Sequence, residues 1–112
     1  MKTIIVTGGR EYADKSKVIE VLDLIQPDVL VQGGATGADQ LAKDWANANE
    51  VTCITVDAEW TKYGKGAGNI RNAVMLDRFP TAVVIAFPGN KGTANCVKFA
   101  KQRLMTIIKV LE

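Results

Sequence analysis

Three glycine-bearing segments carry the chemistry this sequence offers most readily: Thr7-Gly8-Gly9-Arg10, Gly33-Gly34-Ala35-Thr36-Gly37 and Pro88-Gly89-Asn90-Lys91-Gly92-Thr93. Each follows an apolar run. Glycine has no Cβ to keep a ligand away from the backbone, so such segments can present amide groups to an anion, although glycines are also ordinary turn residues. The third segment leads into Ala94-Asn95-Cys96 with no acid in the first helical turn and with Lys91 just ahead of it. Free amides and an unopposed helix dipole make this the expected phosphate position. The second segment runs into Ala38-Asp39. A carboxylate in that first turn opposes a phosphate and suits a ribose hydroxyl; equally, Thr36 and Asp39 have the spacing of a capping box.

A fourth stretch, Trp60-Thr61-Lys62-Tyr63-Gly64-Lys65-Gly66-Ala67-Gly68-Asn69-Ile70-Arg71-Asn72, joins aromatic, cationic and glycine residues. Trp60 and Tyr63 could stack on a base, and Arg71 could fork onto a phosphate or carboxylate. Each part has a plainer alternative: Trp60 in the core, Lys62 and Lys65 in solvent, Arg71 paired with Asp77 or Asp44. Arg71-Asn72 opening a helix straight after a glycine-rich loop favours the binding reading.

The chain has 112 residues, 47% hydrophobic and 23% charged, which suits one compact domain over residues 1–112 and excludes a disordered one. With no histidine, imidazole bases, Ser/His/Asp triads and histidine metal sites are excluded. No metal or cofactor is expected. No Gly-x-Gly-x-x-Gly fits at Gly8, Gly64 or Gly66, and Gly33 to Gly37 is not followed by Gly-Lys-Ser/Thr, so ordinary dinucleotide and P-loop readings fail. Cys53 and Cys96 make no CxxC and no disulfide framework, and read as reduced core thiols. The apolar run Ile4 to Val6 is too short for a signal or membrane segment, so a cytoplasmic protein is expected, or one in a host's cytoplasm. Net charge is +2, but residues 1–59 carry five basic and ten acidic groups and residues 60–112 nine and two. The second half is suited to face an anion, unless the split is confined to sequence.

The elements that must position these groups alternate. Thr3 to Thr7, Asp28 to Gln32, Val51 to Val56 and Ala82 to Phe87 read as buried strands; Thr106 to Leu111 reads as a fifth or as an extension of the last helix. Between them lie helical patterns at Val18, Val21, Leu22 and Ile25; at Ala38, Leu41, Ala42 and Trp45; at Ile70, Ala73 and Val74; and at Val97, Ala100 and Leu104. The expected fold is α/β: a single Rossmann-like, doubly wound, mainly parallel sheet of four or five strands with helices on both faces. Its ligand site falls beyond the carboxyl ends of the strands, where the glycine segments lie.

With those residues in place, the chain resembles the SLOG superfamily, and most closely its small prokaryotic and phage branch, the YspA-like proteins. The resemblance rests on Thr7-Gly8-Gly9-Arg10-Glu11-Tyr12, Gly33 to Asp39, Ala67 to Asn72 with Met75, and Ala86 to Ala94. It implies Rossmann-like binding of nucleotides, nucleotide sugars or related signals. Relatives include phosphoribohydrolases of the LOG type, sensor domains of bacterial defence systems, and the DNA-processing protein DprA. In LOG-type hydrolases the fourth loop reads Pro-Gly-Gly-x-Gly-Thr and precedes a catalytic glutamate pair; here Asn90 takes the third position, and Asn95 and Cys96 stand where the glutamates would be. The LOG arginine matches Arg71, with Asn72 in place of the following lysine.

The resemblance therefore implies a binding site made of Gly8, Gly9, Arg10, Gly34, Thr36, Gly37, Asp39, Arg71, Asn72, Pro88, Gly89, Gly92 and Thr93. Catalysis stays open, with Glu11, Asp39 and Arg71 as weak candidates. The first expectation is a sensor or sequestering protein for a nucleotide-type small molecule. The second is a nucleotide phosphoribohydrolase or other N-glycosidic bond hydrolase, and the third a DprA-like nucleic-acid module, disfavoured by scattered basic residues and few aromatics. No membrane partner is expected; a homo-oligomer is, since SLOG relatives often associate.

Overall fold

The computed structural model describes residues 1–111. Five strands, β1 (Thr3–Thr7), β2 (Val29–Gln32), β3 (Thr52–Thr55), β4 (Val83–Ala86) and β5 (Ile107–Lys109), form one parallel sheet in the order β3-β2-β1-β4-β5. Helices α1 (Lys15–Ile25), α2 (Ala38–Ala48), α3 (Trp60–Tyr63), α4 (Ala67–Arg78) and α5 (Lys91–Gln102) fill the connections, with a 3₁₀ turn at Gly64–Gly66 joining α3 to α4.

Side chains alternate across the strands, and the two faces bury different helices. Ile4, Val6, Leu30, Ile85 and Phe87 pack with Val18 and Leu22 of α1 and Ala38, Ala42 and Trp45 of α2. Ile5, Val31 and Val84 pack with Met75 and Leu76 of α4 and Cys96 and Ala100 of α5. The sheet is thus covered on both sides, as the near-continuous β-branched runs require. Strand order reverses between β1 and β4, so the loops leaving those two strands diverge to opposite faces and open a crevice between them.

Three expectations change. The stripe Ile70, Ala73 and Val74 does not face the core: Ile70 and Val74 are exposed, and α4 instead buries Ala67, Asn72, Met75 and Leu76. The final run is a strand, not a helix extension, because α5 stops at Gln102 and Leu104 turns left-handed with φ 57°, which leaves its side chain 93% exposed. The segment after Trp60 is already helical before Ile70. No helix among the described residues is long and apolar enough to cross a membrane.

Candidate functional site

The loop after β1 is the hub of the site. Gly9 donates its amide to the Pro88 carbonyl at 2.9 Å, and the Gly9 carbonyl accepts from the amides of Tyr12 at 3.2 Å and Ala38 at 3.1 Å. Thr36 Oγ1 donates to the Arg10 carbonyl at 3.1 Å. The three glycine segments are therefore tied to one another, and some of their glycines serve that packing. Gly37 has φ 77°, and a Cβ there would overlap the Gly9 carbonyl; a Cβ on Gly89 would strike the Thr93 hydroxyl and the Gly9 amide. At Gly37 and Gly89, then, the close approach that needs glycine is loop to loop. At Gly92 nothing lies within 4 Å of a Cβ position, and that face opens to the site.

Beneath the hub lies a cleft of about 920 Å³. It gathers Gly8, Gly9 and Arg10 from the first loop, Asp39 from α2, Arg71 and Asn72 from α4, and Gly92 and Thr93 from α5. Gly34 and Thr36 line an adjoining hollow that shares Arg10 and Arg71 with the cleft. Pro88 and Gly89 line other hollows beside it, and Gly37 lies behind the wall. Glu11 sits exposed at the rim.

Helix α5 begins as expected for an anion site. Asn90 caps it without a side-chain hydrogen bond, no acid stands in its first turn, and the amides of Lys91, Gly92 and Thr93 find no partner among the described residues. Helix α2 begins differently. Its cap is Gly37, with no side-chain cap, so the expected Thr36–Asp39 capping box does not form; Thr36 is spent on Arg10 instead. Asp39 Oδ2 accepts the amides of Gly33 and Ala35, each at 3.2 Å. Asp39 is only 6% exposed. Burial pushes its carboxyl up to about 6, against the opposing pull of the Ala35 amide, of Arg71, of the Gly33 amide and of Arg10.

Arg71 points inward. It donates through Nη1 to the Gly33 carbonyl and through Nε to Asn72 Oδ1 at 2.9 Å. Neither alternative partner is used: Asp77 pairs with Arg103, and Asp44 accepts from Gln40. Asn72 is 4% exposed and donates Nδ2 to the Gly92 carbonyl at 3.3 Å and to Asn95 Oδ1 at 3.0 Å. It is a bracket that fixes the Arg71 guanidinium relative to the start of α5. The positions of the LOG glutamates are accounted for in the same way. Asn95 is part of this bracket, and Cys96 is fully buried, its thiol pushed up to about 11 by burial.

Of the two aromatics, Trp60 lines the cleft, 47% exposed and with the Arg10 guanidinium 5.3 Å from its ring centroid, so it is neither core nor remote. Tyr63 lies outside the cleft, under Lys62. Lys65 and Lys91 do line it. Sequence reasoning named Asn90 and Asn95 as departures from the LOG pattern and Asn69 within the glycine-rich stretch but placed none of them in the binding set; Asp57, in the adjoining hollow, was missed altogether. Asn72, in register with Met75 and Leu76 three and four residues on, shows how a polar residue on a buried stripe could have been read as a network centre.

The comparisons with known proteins bear on the family and the fold. The profile of the YspA, cpYpsA-related SLOG family matches residues 2–63. The Gene 61 protein of Mycobacterium phage D29 is 33% identical over 120 aligned positions, covering 96% of this chain and 95% of that protein. Among solved structures, the X-ray structure of TM1055 superposes with a TM-score of 0.74 at 18% identity, over 96% of this chain and 72% of that one. DNA processing protein A (DprA) from Streptococcus pneumoniae superposes with a TM-score of 0.63 at 17% identity, over 96% of this chain and 58% of its own. At those identities the two structures speak for the fold. The profile match over more than half of the sequence and the phage relative along nearly all of it place the chain in a family: it belongs to the YspA, cpYpsA-related SLOG family.

Proposed function

We propose that the protein binds a nucleotide or nucleotide-derived phosphorylated ligand, as a sensor or sequestering protein. The single observation that carries this reading is the start of α5: unspent amides at Lys91, Gly92 and Thr93 face a cleft whose other wall holds the Arg71 guanidinium, bracketed to Gly92 through Asn72. A phosphate there accepts from the Gly92 and Thr93 amides and from the free donors of Arg71, in the field of the helix dipole. Arg10, Lys65, Arg71 and Lys91 outnumber Glu11 and Asp39 in the lining, which matches a dianionic monophosphate. Trp60 offers a face for the base, and the unpaired oxygen of Asp39 accepts from a ribose hydroxyl. Loop amides and one clamping arginine suit a micromolar Kd, roughly -8 kcal/mol.

The test is calorimetric titration with AMP and GMP of the native protein and of Arg71→Ala. Loss of charge-assisted hydrogen bonds should cost about 1.5 to 3 kcal/mol of affinity. An unchanged Kd in that variant rejects the clamp.

One observation favours a second reading. A buried carboxyl at about 6 inside a cleft is suited to proton transfer near neutrality, so Asp39 is the candidate acid or base of an N-glycosidic bond hydrolase. Incubation with AMP followed by chromatography distinguishes the two: free adenine, lost in Asp39→Asn, supports hydrolysis, whereas intact AMP supports binding alone.

A further inference from the structure

A groove of about 710 Å³ lies at the outer edge of the sheet, between the flank of α5 and the end of β5. Its floor is apolar, with Phe87, Ala94, Val97 and Leu111 among the lining residues. Lys98, Lys101 and Lys109 line it too, and none of the three has an ion pair or a side-chain hydrogen bond among the described residues. From Lys91 to Leu111 the chain carries five basic residues and no acidic one. Of these five, Arg103 is paired with Asp77 and Lys91 lines the anion cleft, whereas the three lysines of the groove lie outside that cleft. The basic excess of the second half therefore has a second focus, which nucleotide binding does not use.

The backbone is open along the same edge. Strand β5 is the last of the sheet on this side. The Val84 amide donates to the Thr106 carbonyl at 2.9 Å, and the Val110 amide donates to the Ala86 carbonyl at 2.8 Å. Successive residues of a strand turn their N–H and C=O groups to opposite sides, so Thr106, Ile108 and Val110 face β4 while Ile107 and Lys109 present theirs outward. Ile108 is 46% exposed and Leu111 80%, which leaves apolar surface beside those free groups. Lysines on an edge discourage the pairing of like strands, but a guard of that kind needs no apolar floor.

From this juxtaposition we propose that the β5 edge binds an extended, acidic segment of a protein partner, which joins the sheet as a further strand. Its backbone pairs with Ile107 and Lys109, its apolar side chains rest on Val97 and Leu111, and its carboxylates meet Lys98, Lys101 and Lys109. Main-chain pairing supplies the affinity and the lysines select the partner. Charge favours this occupant over a second copy of the chain, because pairing β5 with its own copy across a two-fold axis brings both sets of lysines together. The groove and the anion cleft share only Asn90, Thr93 and Ala94, so the proposal goes beyond the nucleotide-binding reading and does not depend on it.

The experiment is an amide ¹H–¹⁵N NMR titration of the full chain at low salt with the peptide acetyl-Glu-Glu-Val-Ile-Val-Glu-Glu-amide. Beside it run a counterpart with Lys for every Glu and a form whose Val and Ile amides are N-methylated, which removes the donors. The acidic peptide should bind with a Kd of about 1 mM or tighter and move the Ile107 and Lys109 amides most, the other two binding about tenfold more weakly or worse. Lys98→Glu combined with Lys101→Glu, at two exposed positions, should weaken the acidic peptide about tenfold while the rest of the spectrum keeps its native dispersion. No binding of the acidic peptide, or equal binding of the lysine or the N-methylated peptide, overturns the proposal. Two other occupants give their own signatures. Decanoate moving Val97 and Leu111 where the peptide moves nothing marks a site for a small amphiphile, and a dimer in sedimentation whose Ile107 and Lys109 amides already resist hydrogen exchange marks a self-interface; either result overturns it as well.

Discussion

The starts of α2 and α5 are built from the same parts, a strand end, a glycine segment and the first turn of a helix, and they do opposite things. At α2 the protein supplies its own anion: Asp39 takes the Gly33 and Ala35 amides, and Ala38 donates to Gly9. At α5 no acid intervenes and the first amides are left over. The difference teaches that glycine in a loop does not by itself mark an anion cradle. What decides is whether the chain has already filled the cradle with a carboxylate, and in this protein one of the two is filled.

Making α5 resemble α2 should have the largest effect. Gly92→Asp places a carboxylate where a Cβ meets open space, so the fold is expected to hold and the melting temperature to change little. AMP affinity should fall on the order of 100-fold, about 3 kcal/mol, from blocked amides and like-charge repulsion. Retained calorimetric affinity would place the anion elsewhere.

Making α2 resemble α5 is next. The Asp39 carboxyl is raised from 3.8 to about 6, so between those values the folded protein holds a proton that the unfolded chain has released. The ionised carboxylate therefore costs stability above pH 6, and the cost is relieved as the pH falls through 6 towards 4. Asp39→Asn keeps a carbonyl for the two loop amides and removes the charge. By denaturant unfolding it should exceed the native protein at neutral pH by on the order of 2 to 3 kcal/mol, the gap closing by about pH 4. A gap that widens on acidification contradicts the assignment.

Asn72→Ala cuts the bracket between the two walls and leaves the Gly92 carbonyl and Arg71 Nε without their partner. A loss of about 1 to 2 kcal/mol in unfolding free energy is expected, together with weaker AMP binding, because Arg71 is no longer aimed. Full affinity in this variant would show that aiming is unnecessary. The smallest effect belongs to Thr36→Val, which removes only an exposed hydrogen bond to the Arg10 carbonyl: about 0.5 to 1 kcal/mol in a thermal melt, with the AMP Kd unchanged.

The sheet was legible because β-branched runs with no polar interruption have few other uses in a short chain, and four of the five lay where the structure has them. The fifth was ambiguous since Thr106 to Leu111 carries both periods, and what settles it is the left-handed turn at Leu104, closed by the local bond from the Met105 amide to the Ala100 carbonyl at 3.1 Å. The α4 stripe was misread for a related reason. Ile70 and Val74 are the more hydrophobic choice, but the face that meets α5 is the one carrying Asn72, whose polar group is satisfied only once α5 is in place. The contrast between α2 and α5 was legible from Asp39 and its absence at α5. That Gly37 and Gly89 press against Gly9 rather than against a ligand was not, since sequence gives a glycine's freedom and not its neighbour.

The most direct measurement is an amide ¹H–¹⁵N NMR titration of the native protein with AMP. Gly92 and Thr93 should show the largest shift changes, with the Arg71 side chain moving alongside them, while Gly33 and Ala35, already bonded to Asp39, respond weakly. Shifts concentrated on Gly33 to Gly37 with Gly92 and Thr93 unmoved would contradict the account.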